Sequence, residues 1–391
     1  MKKIFLATAG TLAVIIGSYS FMDQSAQSAA EKAIADIERD IEASIPNSDF
    51  TFGMVAADFF ANSATVSDLA LKVGEEKIAT AKSLAIYGNA KTIKRAEITG
   101  LEGTLKKGRE QVEFFIQKAV LRDADAASLN AIIDQMKSNP NTANKAFNNF
   151  SIGEVSLSGI SFAPINAGAK IALAEFSLTD VVFEGGMMVK GETSISGLKI
   201  PLDLITQIDR STANTIGNFT GDEDFVLSLS TSVDFDTVNG TFDTEMNIGA
   251  EGFAKVKLIA GLAGLDAKLI AEASKVSDIF EALQIWALIA KDLSISAVTL
   301  EYLDDRLADT LLTENWNNDL TAMSEMQISM LFGQYPRIAD QLKKALGAFL
   351  NGKNSFSASA KAKSPVKIEE MQQLFASGDL TNFMSFEFLG S

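Results

Sequence analysis

Few side chains in this sequence could carry chemistry, because its 391 residues include no histidine and no cysteine. Serine–histidine–aspartate and cysteine–histidine nucleophilic sites therefore cannot form. Zinc sites built on histidine or cysteine are excluded as well, and so are disulfides. Carboxylates, lysines and hydroxyl groups are the functional side chains that remain.

One serine and one lysine have a spacing that occurs in enzymes. Ser196 and Lys199 match the S-x-x-K spacing of β-lactamase-type enzymes, in which the two residues lie one helical turn apart. Here the pair falls in a strand-like stretch that ends at Pro201, and neither Ser-Asp-Asn nor Lys-Thr-Gly accompanies it. We predict no catalytic residue from this motif, although a hydrolase that uses two carboxylates stays open as an alternative.

Two acidic clusters could supply oxygen ligands to calcium. The first is Asp222-Glu223-Asp224, and the second is Asp234 and Asp236 with Asn239. Neither has the spacing of an EF-hand, and solvated hairpin ends explain the acids more simply. The sequence has no phosphate-binding loop and no dinucleotide fingerprint. We therefore predict no metal and no cofactor.

The net charge and the hydrophobic fraction of the chain limit the classes of partner that it could bind. Lysine and arginine total 34 against 50 aspartates and glutamates, so the net charge is −16. A surface this acidic repels nucleic acid, and we predict no nucleic-acid partner. Hydrophobic residues make up 47% of the chain, enough for a large core or for an apolar groove.

The N-terminus begins with a membrane-targeting pattern. Lys2 and Lys3 precede an uncharged run over residues 4–21, which is just long enough to span a bilayer once. We interpret residues 1–22 as a signal anchor, with a cleaved signal peptide as the alternative. The positive-inside rule then keeps Lys2 and Lys3 in the cytoplasm and places the body of the protein on the other side of the membrane. A cleaved signal would instead give a periplasmic or secreted protein.

Hydrophobic periodicity divides the remainder of the chain into segments. Residues 23–46 read as a helical stalk that Pro46 ends, and residues 47–270 as a β-rich domain with an inserted helix near 123–148. Residues 271–391 read as a helical region with two or three strands that return to the sheet. The predicted fold class is α+β, with an N-terminal membrane helix, a twisted, mostly antiparallel β-sheet and a helix-rich C-terminal third.

The clearest strand signal is a hairpin around Asn239-Gly240. Apolar and polar residues alternate before it over 225–236 and after it over 242–248, and Asn-Gly between two such runs predicts a β-hairpin. One face of this ribbon should be apolar. We predict that its residues bind an apolar ligand, the alternative being that the C-terminal helices cover them as an ordinary core. The candidate ligand-binding residues are Leu227, Leu229, Val233 and Phe235.

A short phrase of an apolar residue, a hydroxyl residue, glycine and another apolar residue occurs three times. Its copies are residues 98–101, 157–160 and 195–198. Glycine within a strand pattern often marks a bulge or a bend. The phrase is either a repeated strand unit that bends a long sheet or a coincidence in a chain with 27 glycines.

Several β-rich segments resemble bacterial AsmA-like envelope proteins and related single-anchor periplasmic proteins. The resemblance lies in the residue patterns of 69–73, 78–86 and 96–101, which follow a single N-terminal anchor and a short helix. It implies an inner-membrane protein with a curved periplasmic sheet, in a family associated with outer-membrane homeostasis and lipid movement. It implies no catalytic residue.

Three functions follow from this reading of the sequence. The leading hypothesis is a non-enzymatic, membrane-anchored envelope protein that binds lipid or another apolar ligand along the sheet. The first alternative is a protein-interaction or scaffolding module of the cell envelope, which would bind an envelope protein instead. The second alternative is the carboxylate-based hydrolase.

Overall fold

The chain forms two compact units, Met1–Leu204 and Ile205–Ser391, hereafter the N-terminal and C-terminal units. The structure is a computed structural model. It describes residues 39, 47–58, 62–74, 76–89, 92–107, 110–125, 150–164, 169–184, 187–220, 224–273, 279–308, 314–352 and 354–391.

The N-terminal unit is an antiparallel meander of long strands. Strand β3 is followed by β4 to β9 in chain order, and the short strands β1 and β2 both pair with β3 at its outer edge. Only a few residues separate successive strands, except between β6 and β7, where residues 126–149 intervene. Most neighbours in the sheet are therefore also neighbours in sequence. The strands are β1 (Ser48–Thr51), β2 (Val55–Asp58), β3 (Ser63–Val73), β4 (Glu76–Asn89), β5 (Thr92–Lys107), β6 (Glu110–Asp125), β7 (Phe150–Pro164), β8 (Ile171–Glu184) and β9 (Met187–Ile200).

The repeated phrase of the sequence is a structural unit. Its glycines Gly100, Gly159 and Gly197 lie on β5, β7 and β9 with left-handed φ values of 61°, 60° and 65°. The pairing registers place them side by side, alternating with residues of ordinary φ on the strands between. We call this line the glycine row. It consists of Asp68, Lys82, Gly100, Gln117, Gly159, Ala174 and Gly197.

A second row crosses the sheet six residues away along β6, β7 and β8. Asp123 and Asp180 have left-handed φ values of 48° and 50°, and Gly153 lies between them on β7. Aspartate is one of the few residues other than glycine that tolerates this conformation. Lys94 on β5 lies opposite Asp123 in the pairing register, and we call Lys94, Asp123, Gly153 and Asp180 the aspartate row.

The two rows change the spacing of apolar side chains along each strand. On β5, residues Ile93, Ala96, Ile98 and Leu101 all belong to one hydrophobic cluster. Their spacing is three, two and three residues, whereas an uninterrupted strand keeps a period of two. Each row therefore adds one residue per strand and returns the apolar side chains to the same face.

The core of the N-terminal unit forms on this face. Ile93 and Ala124 are completely buried, and Leu84 and Ile86 are nearly so. The opposite face carries hydroxyl and charged side chains, such as the cross-strand pairs Ser83–Thr99 and Arg122–Glu154. The unit is thus a sheet with one apolar and one polar face.

The C-terminal unit is a six-stranded antiparallel meander in which β10 to β15 pair in chain order. Helices are inserted between its later strands. The strands are β10 (Phe225–Asp236), β11 (Thr241–Ala250), β12 (Ala254–Ala263), β13 (Ser294–Asp304), β14 (Ser355–Lys367) and β15 (Met384–Gly390). The helices with both ends inside the described ranges are α1 (Leu202–Ile208), α2 (Arg210–Thr220), α3 (Ala267–Ala273), α4 (Ile279–Asp292), α5 (Glu314–Phe332), α6 (Pro336–Gly352), α7 (Ile368–Ser377) and α8 (Leu380–Phe383).

Helices of the C-terminal unit cover the β14–β15 side of its sheet. Phe349 of α6 packs edge-on against Tyr302 and Phe356, with ring centroids 5.5 and 6.3 Å apart. A second cluster joins Tyr335, in the connection between α5 and α6, and Ile338 of α6 to residues of β14 and β15, including Val366 and Met384.

The predicted fold class is wrong. The described chain is mostly antiparallel sheet, and its last third continues that sheet through β13, β14 and β15 instead of forming a helix-rich layer. Helices α4 to α8 alternate with these strands along the chain, but the strands pair with one another and set the architecture. Ladder pairing between distant strands decides the architecture, and local periodicity does not encode it.

Three sequence predictions concern segments that lie wholly or partly outside the described residues. Among the described residues, no helix is both long enough and apolar enough to cross a bilayer. The predicted anchor over 1–22 lies outside the described residues, and so does the stalk over 23–46 apart from Arg39, which is helical. The inserted helix predicted near 123–148 is wrong at its start, where β6 runs to Asp125, and its remainder lies outside the description.

Candidate functional site

The four candidate ligand-binding residues lie on one face of β10. Odd-numbered residues of this strand point to the same side, so Leu227, Leu229, Val233 and Phe235 share a face. Leu227, Leu229 and Val233 are half-buried, and Phe235 is 7% exposed. Phe235 packs against Phe242 of β11, with ring centroids 6.2 Å apart.

This face continues across the neighbouring strands. Leu229 pairs with Ile248 on β11, Met246 pairs with Leu258 on β12, and Leu258 pairs with Leu300 on β13. Ile248 is 42% exposed and Leu300 is 39% exposed. We call this surface the C-terminal apolar face. It consists of Leu229, Val233, Met246, Ile248, Leu258 and Leu300.

The C-terminal apolar face lies outside the cluster under the helices. The described sheet residues of that cluster come from β14 and β15, among them Val366, Ala360 and Phe388. Leu227, Leu229 and Val233 belong to β10, three strands from β13, and they are only half-buried. The arrangement thus divides one sheet face into a helix-covered part and a part in contact with solvent.

The hairpin that was predicted around Asn239-Gly240 is confirmed. Strands β10 and β11 pair antiparallel up to Asp236 and Thr241. The Asp236 carboxylate accepts hydrogen bonds from the backbone amides of Val238 and Asn239 at 2.9 Å and from the Asn239 side chain at 2.6 Å. These bonds, chiefly the one from the backbone amide of Asn239, hold the pKa of Asp236 below its usual range. Asp236 therefore stabilises the turn between β10 and β11.

The polar face of the N-terminal unit carries a network of ion pairs. Glu97 contacts Arg95, and its Oε1 lies 3.1 Å from Nζ of Lys118 on β6. Arg122 Nη1 lies 2.8 Å from Oε2 of Glu154, which also accepts a hydrogen bond from Ser156. Burial acts to raise the pKa of Glu97, but the hydrogen bonds and charges of Lys118 and Arg95 outweigh it and hold the pKa below its usual range. The network joins neighbouring strands.

Replacing Glu97 with glutamine is expected to remove a pH-dependent contribution to stability. Because the pKa of Glu97 is lower in the folded protein, its contribution is complete above the unfolded pKa and is lost as the pH falls through the folded pKa. At pH 7 we expect Glu97→Gln to lower the free energy of unfolding by about 1 kcal/mol. We expect this difference to shrink toward zero as the pH falls through the lowered pKa of Glu97, as measured by urea unfolding.

The matched control for Glu97→Gln is Glu175→Gln, which removes an exposed carboxylate from β8 in the same unit. A pH-dependent difference of equal size in the two variants would trace the effect to net charge, and not to the contacts of Glu97 with Lys118 and Arg95.

A cavity of about 460 Å³ opens beside β4 to β7 in the N-terminal unit. Its lining includes Glu102, Glu113, Phe115 and Lys170. Thr80 donates a hydrogen bond of 3.2 Å to Glu102. Both glutamates are exposed to solvent, whereas a carboxyl group that acts as a general acid is usually desolvated. The geometry therefore gives the hydrolase alternative no specific support.

The other chemical motifs of the sequence lie in strands. Ser196 and Lys199 belong to β9 and not to a helix, and they are separated there by the left-handed Gly197. Within the described ranges, no three carboxylates gather into a group that could hold a metal ion. Asp222 and Glu223 lie outside those ranges.

Sequence reasoning missed part of the C-terminal apolar face. Met246 and Ile248 could have been added, because the predicted hairpin pairs them with Thr231 and Leu229. Leu258 lies on β12 and Leu300 on β13. Leu300 is far in sequence from every other residue of this face, since helices α3 and α4 lie between it and Leu258. No local signal relates it to the hairpin.

One family model matches part of the chain. A family model described as "Uncharacterized protein" matches residues 247–385, a little over a third of the chain. The matched range includes Ile248, Leu258 and Leu300, and it excludes Leu229 and Val233. No curated protein matches the chain.

Proposed function

We propose that this chain is a non-enzymatic envelope protein, held at the bacterial inner membrane by its N-terminal uncharged segment, that binds lipid or another apolar ligand on the C-terminal apolar face. The observation that carries the proposal is the exposure of Ile248 and Leu300, at 42% and 39%, in the middle of an apolar sheet surface. Large side chains at such positions normally lie under a covering layer.

The opposite face of the same strands is polar, so the apolar character is confined to one side. Ser230 pairs with Asn247, and Asn247 donates a hydrogen bond of 3.1 Å to the Ser230 hydroxyl. Glu245 forms an ion pair with Lys257 at 2.9 Å. A sheet with one polar and one solvent-accessible apolar face can bind an acyl chain on the latter and remain solvated on the former.

The energy available from this surface is sufficient for reversible binding. Each buried methylene group contributes about 0.8 kcal/mol. Burial of about ten methylene groups would therefore contribute about 8 kcal/mol before the entropic cost of association is subtracted. The resemblance to AsmA-like proteins, a family associated with lipid movement, supports the same class of ligand.

The proposal predicts that charge on the C-terminal apolar face abolishes binding. In the double variant Leu229→Glu/Ile248→Glu, two carboxylates on paired positions would have to be desolvated by an acyl chain. We expect the affinity of the full-length protein for cis-parinaric acid to fall at least tenfold, measured by its fluorescence on binding.

The matched control is Ser230→Glu/Asn247→Glu, which adds the same two charges to the same two strands on the polar face. Its affinity should equal that of the wild type, and circular dichroism should show both variants folded. Equal affinities in the wild type and both variants would overturn the proposal, since they would place binding elsewhere.

A second candidate function, the protein-interaction or scaffolding module, is favoured by a separate feature. Helix α5 exposes Met326 and Met330 at 64% and 77%. Exposed methionines are frequent on surfaces that bind peptide partners, because the side chain is flexible and polarisable.

A further inference from the structure

The cavity beside β4 to β7 is built on the polar face of the N-terminal unit. Four of its lining residues occupy directly opposed positions on successive strands, so their side chains share one face. They are Thr80 on β4, Glu102 on β5, Phe115 on β6 and Ser161 on β7. The cavity volume of about 460 Å³ lies within the range of small-molecule sites, about 300–1,000 Å³.

A phenyl ring lies in the middle of this row. Ile116, the next residue of β6, pairs with Leu101, which packs against the apolar cluster on the other face of the sheet. Phe115 therefore points to the polar face, where it is half-buried and lines the cavity. The face of an aromatic ring carries partial negative charge and attracts cations as well as apolar groups. Phe115 can thus make both kinds of contact with one ligand.

Two carboxylates flank Phe115. Glu102 lies directly opposite it on β5, and Glu113 precedes it by two residues on β6 and therefore lies on the same face. Both glutamates are exposed. Glu102 accepts a hydrogen bond from Thr80, and the carboxylate of Glu113 has no partner among the described residues. Each carboxylate can therefore bind a positively charged group that enters the cavity.

The charges of the cavity favour a cation over an anion. Its lining contains the two carboxylates of Glu102 and Glu113 and one ammonium group, that of Lys170. Lys170 is exposed and directly precedes β8, on the far side of β7 from Glu113. The net charge of the whole chain, −16, adds to the attraction of cations.

A buried hydroxyl group belongs to the same cavity. Ser161 is 5% exposed and lines the cavity, yet no described residue forms a hydrogen bond with its hydroxyl group. Buried hydroxyl groups normally have a hydrogen-bond partner. A ligand that donates an N–H to Ser161 would supply one. An ammonium group has three such donors, so it can contact a carboxylate and a hydroxyl group at the same time.

We propose that this cavity binds an aliphatic diamine, with one ammonium group at Glu102, the other at Glu113 and the methylene chain on the ring of Phe115. Diagonal neighbours on two paired strands, as the two glutamates are, lie roughly 7–8 Å apart, a separation that a four-carbon diamine spans. The inference goes beyond apolar-ligand binding and does not rest on it, because every residue of the cavity belongs to the N-terminal unit.

The test is isothermal titration calorimetry of the full-length protein with putrescine at low ionic strength. We expect a dissociation constant below about 1 mM. Two analogues keep the four-carbon chain and change its charge: 1,4-butanediol has none, and succinate has two negative charges. Both should bind at least tenfold more weakly than putrescine. Butylamine, which has one ammonium group, should bind at least threefold more weakly.

Variants of the lining locate the binding. Glu102→Gln/Glu113→Gln preserves side-chain size and removes both charges, and we expect putrescine affinity to fall at least tenfold. Phe115→Leu keeps an apolar side chain without the ring, and we expect the affinity to fall about threefold. The matched control is Glu175→Gln/Glu192→Gln, which removes two exposed carboxylates from β8 and β9 outside the cavity. Its putrescine affinity should equal that of the wild type.

Any of three results would overturn the inference. One is equal putrescine affinity in the wild type and in Glu102→Gln/Glu113→Gln, with circular dichroism showing both folded. Another is an equal loss of affinity in the control variant, because binding would then follow net charge and not the cavity. The third is binding of butylamine or 1,4-butanediol as tightly as putrescine, because the two carboxylates would then not recognise two ammonium groups.

Discussion

A valine at Gly159 is expected to destabilise the N-terminal unit by about 3 kcal/mol. Gly159 has a φ of 60°, a conformation that costs a β-branched residue about 1–3 kcal/mol. An added Cβ would also lie 2.6 Å from Cβ of Gln117 on the neighbouring strand. The measurement is the free energy of unfolding in urea, with hydrogen exchange of β6 to β8 to localise the loss.

The glycine row supplies its own control for this substitution. Ala174 lies in the same row on β8, has an ordinary backbone conformation and is exposed. Ala174→Val makes a comparable increase in side-chain size, and we expect a change within about 0.5 kcal/mol. If Gly159→Val and Ala174→Val cost the same, the left-handed backbone at alternate positions of the row would have no energetic role.

A valine at Gly390 is expected to displace α6 from the sheet of the C-terminal unit. A Cβ built on Gly390 would lie 1.8 Å from the backbone carbonyl oxygen of Ala345 in α6. No side-chain rotation can relieve a clash with backbone, so α6 or the end of β15 must move. We expect a loss of about 3 kcal/mol, at the upper end of the usual cost of overpacking.

Tryptophan fluorescence during urea unfolding measures this effect, since both tryptophans of the chain belong to the C-terminal unit. Leu389→Val is the neighbouring control, because Leu389 is 59% exposed and should tolerate the change within about 0.5 kcal/mol. A Gly390→Val protein as stable as Leu389→Val would mean that α6 does not approach β15 this closely.

The two units show different degrees of predictability from sequence. In the C-terminal unit, β10 and β11 keep a strict period of two, so the face shared by Leu229, Val233 and Phe235 could be predicted. In the N-terminal unit, the glycine and aspartate rows interrupt the period every few residues. In the sequence, Gly159 indicates one interruption of the two-residue period. Gln117 and Ala174 lie at the same interruption on their own strands, but neither residue type indicates it, because these strands need no left-handed residue in that row.

The candidate site was predicted in part. Its β10 residues followed from alternation, whereas Leu258 and Leu300 joined it through strand pairing across inserted helices. The boundary between the covered and the open part of the sheet face depends on where α6 packs. The sequence around residues such as Phe349 does not indicate which strands α6 packs against. The exposure of Met326 and Met330 was also missed, since it depends on which side of α5 packs inward.

The amino-acid sequence by itself determined the acidity of the chain, the absence of histidine and cysteine chemistry and the positions of most strands, because these depend on composition and on short-range periodicity. Tertiary structure alone decided that Gly100, Gly159 and Gly197 form one row and that Ile248 and Leu300 share an accessible surface. Both outcomes arise from pairing between residues far apart in the chain, and that pairing is set by the combined packing of all strands, which no single segment specifies.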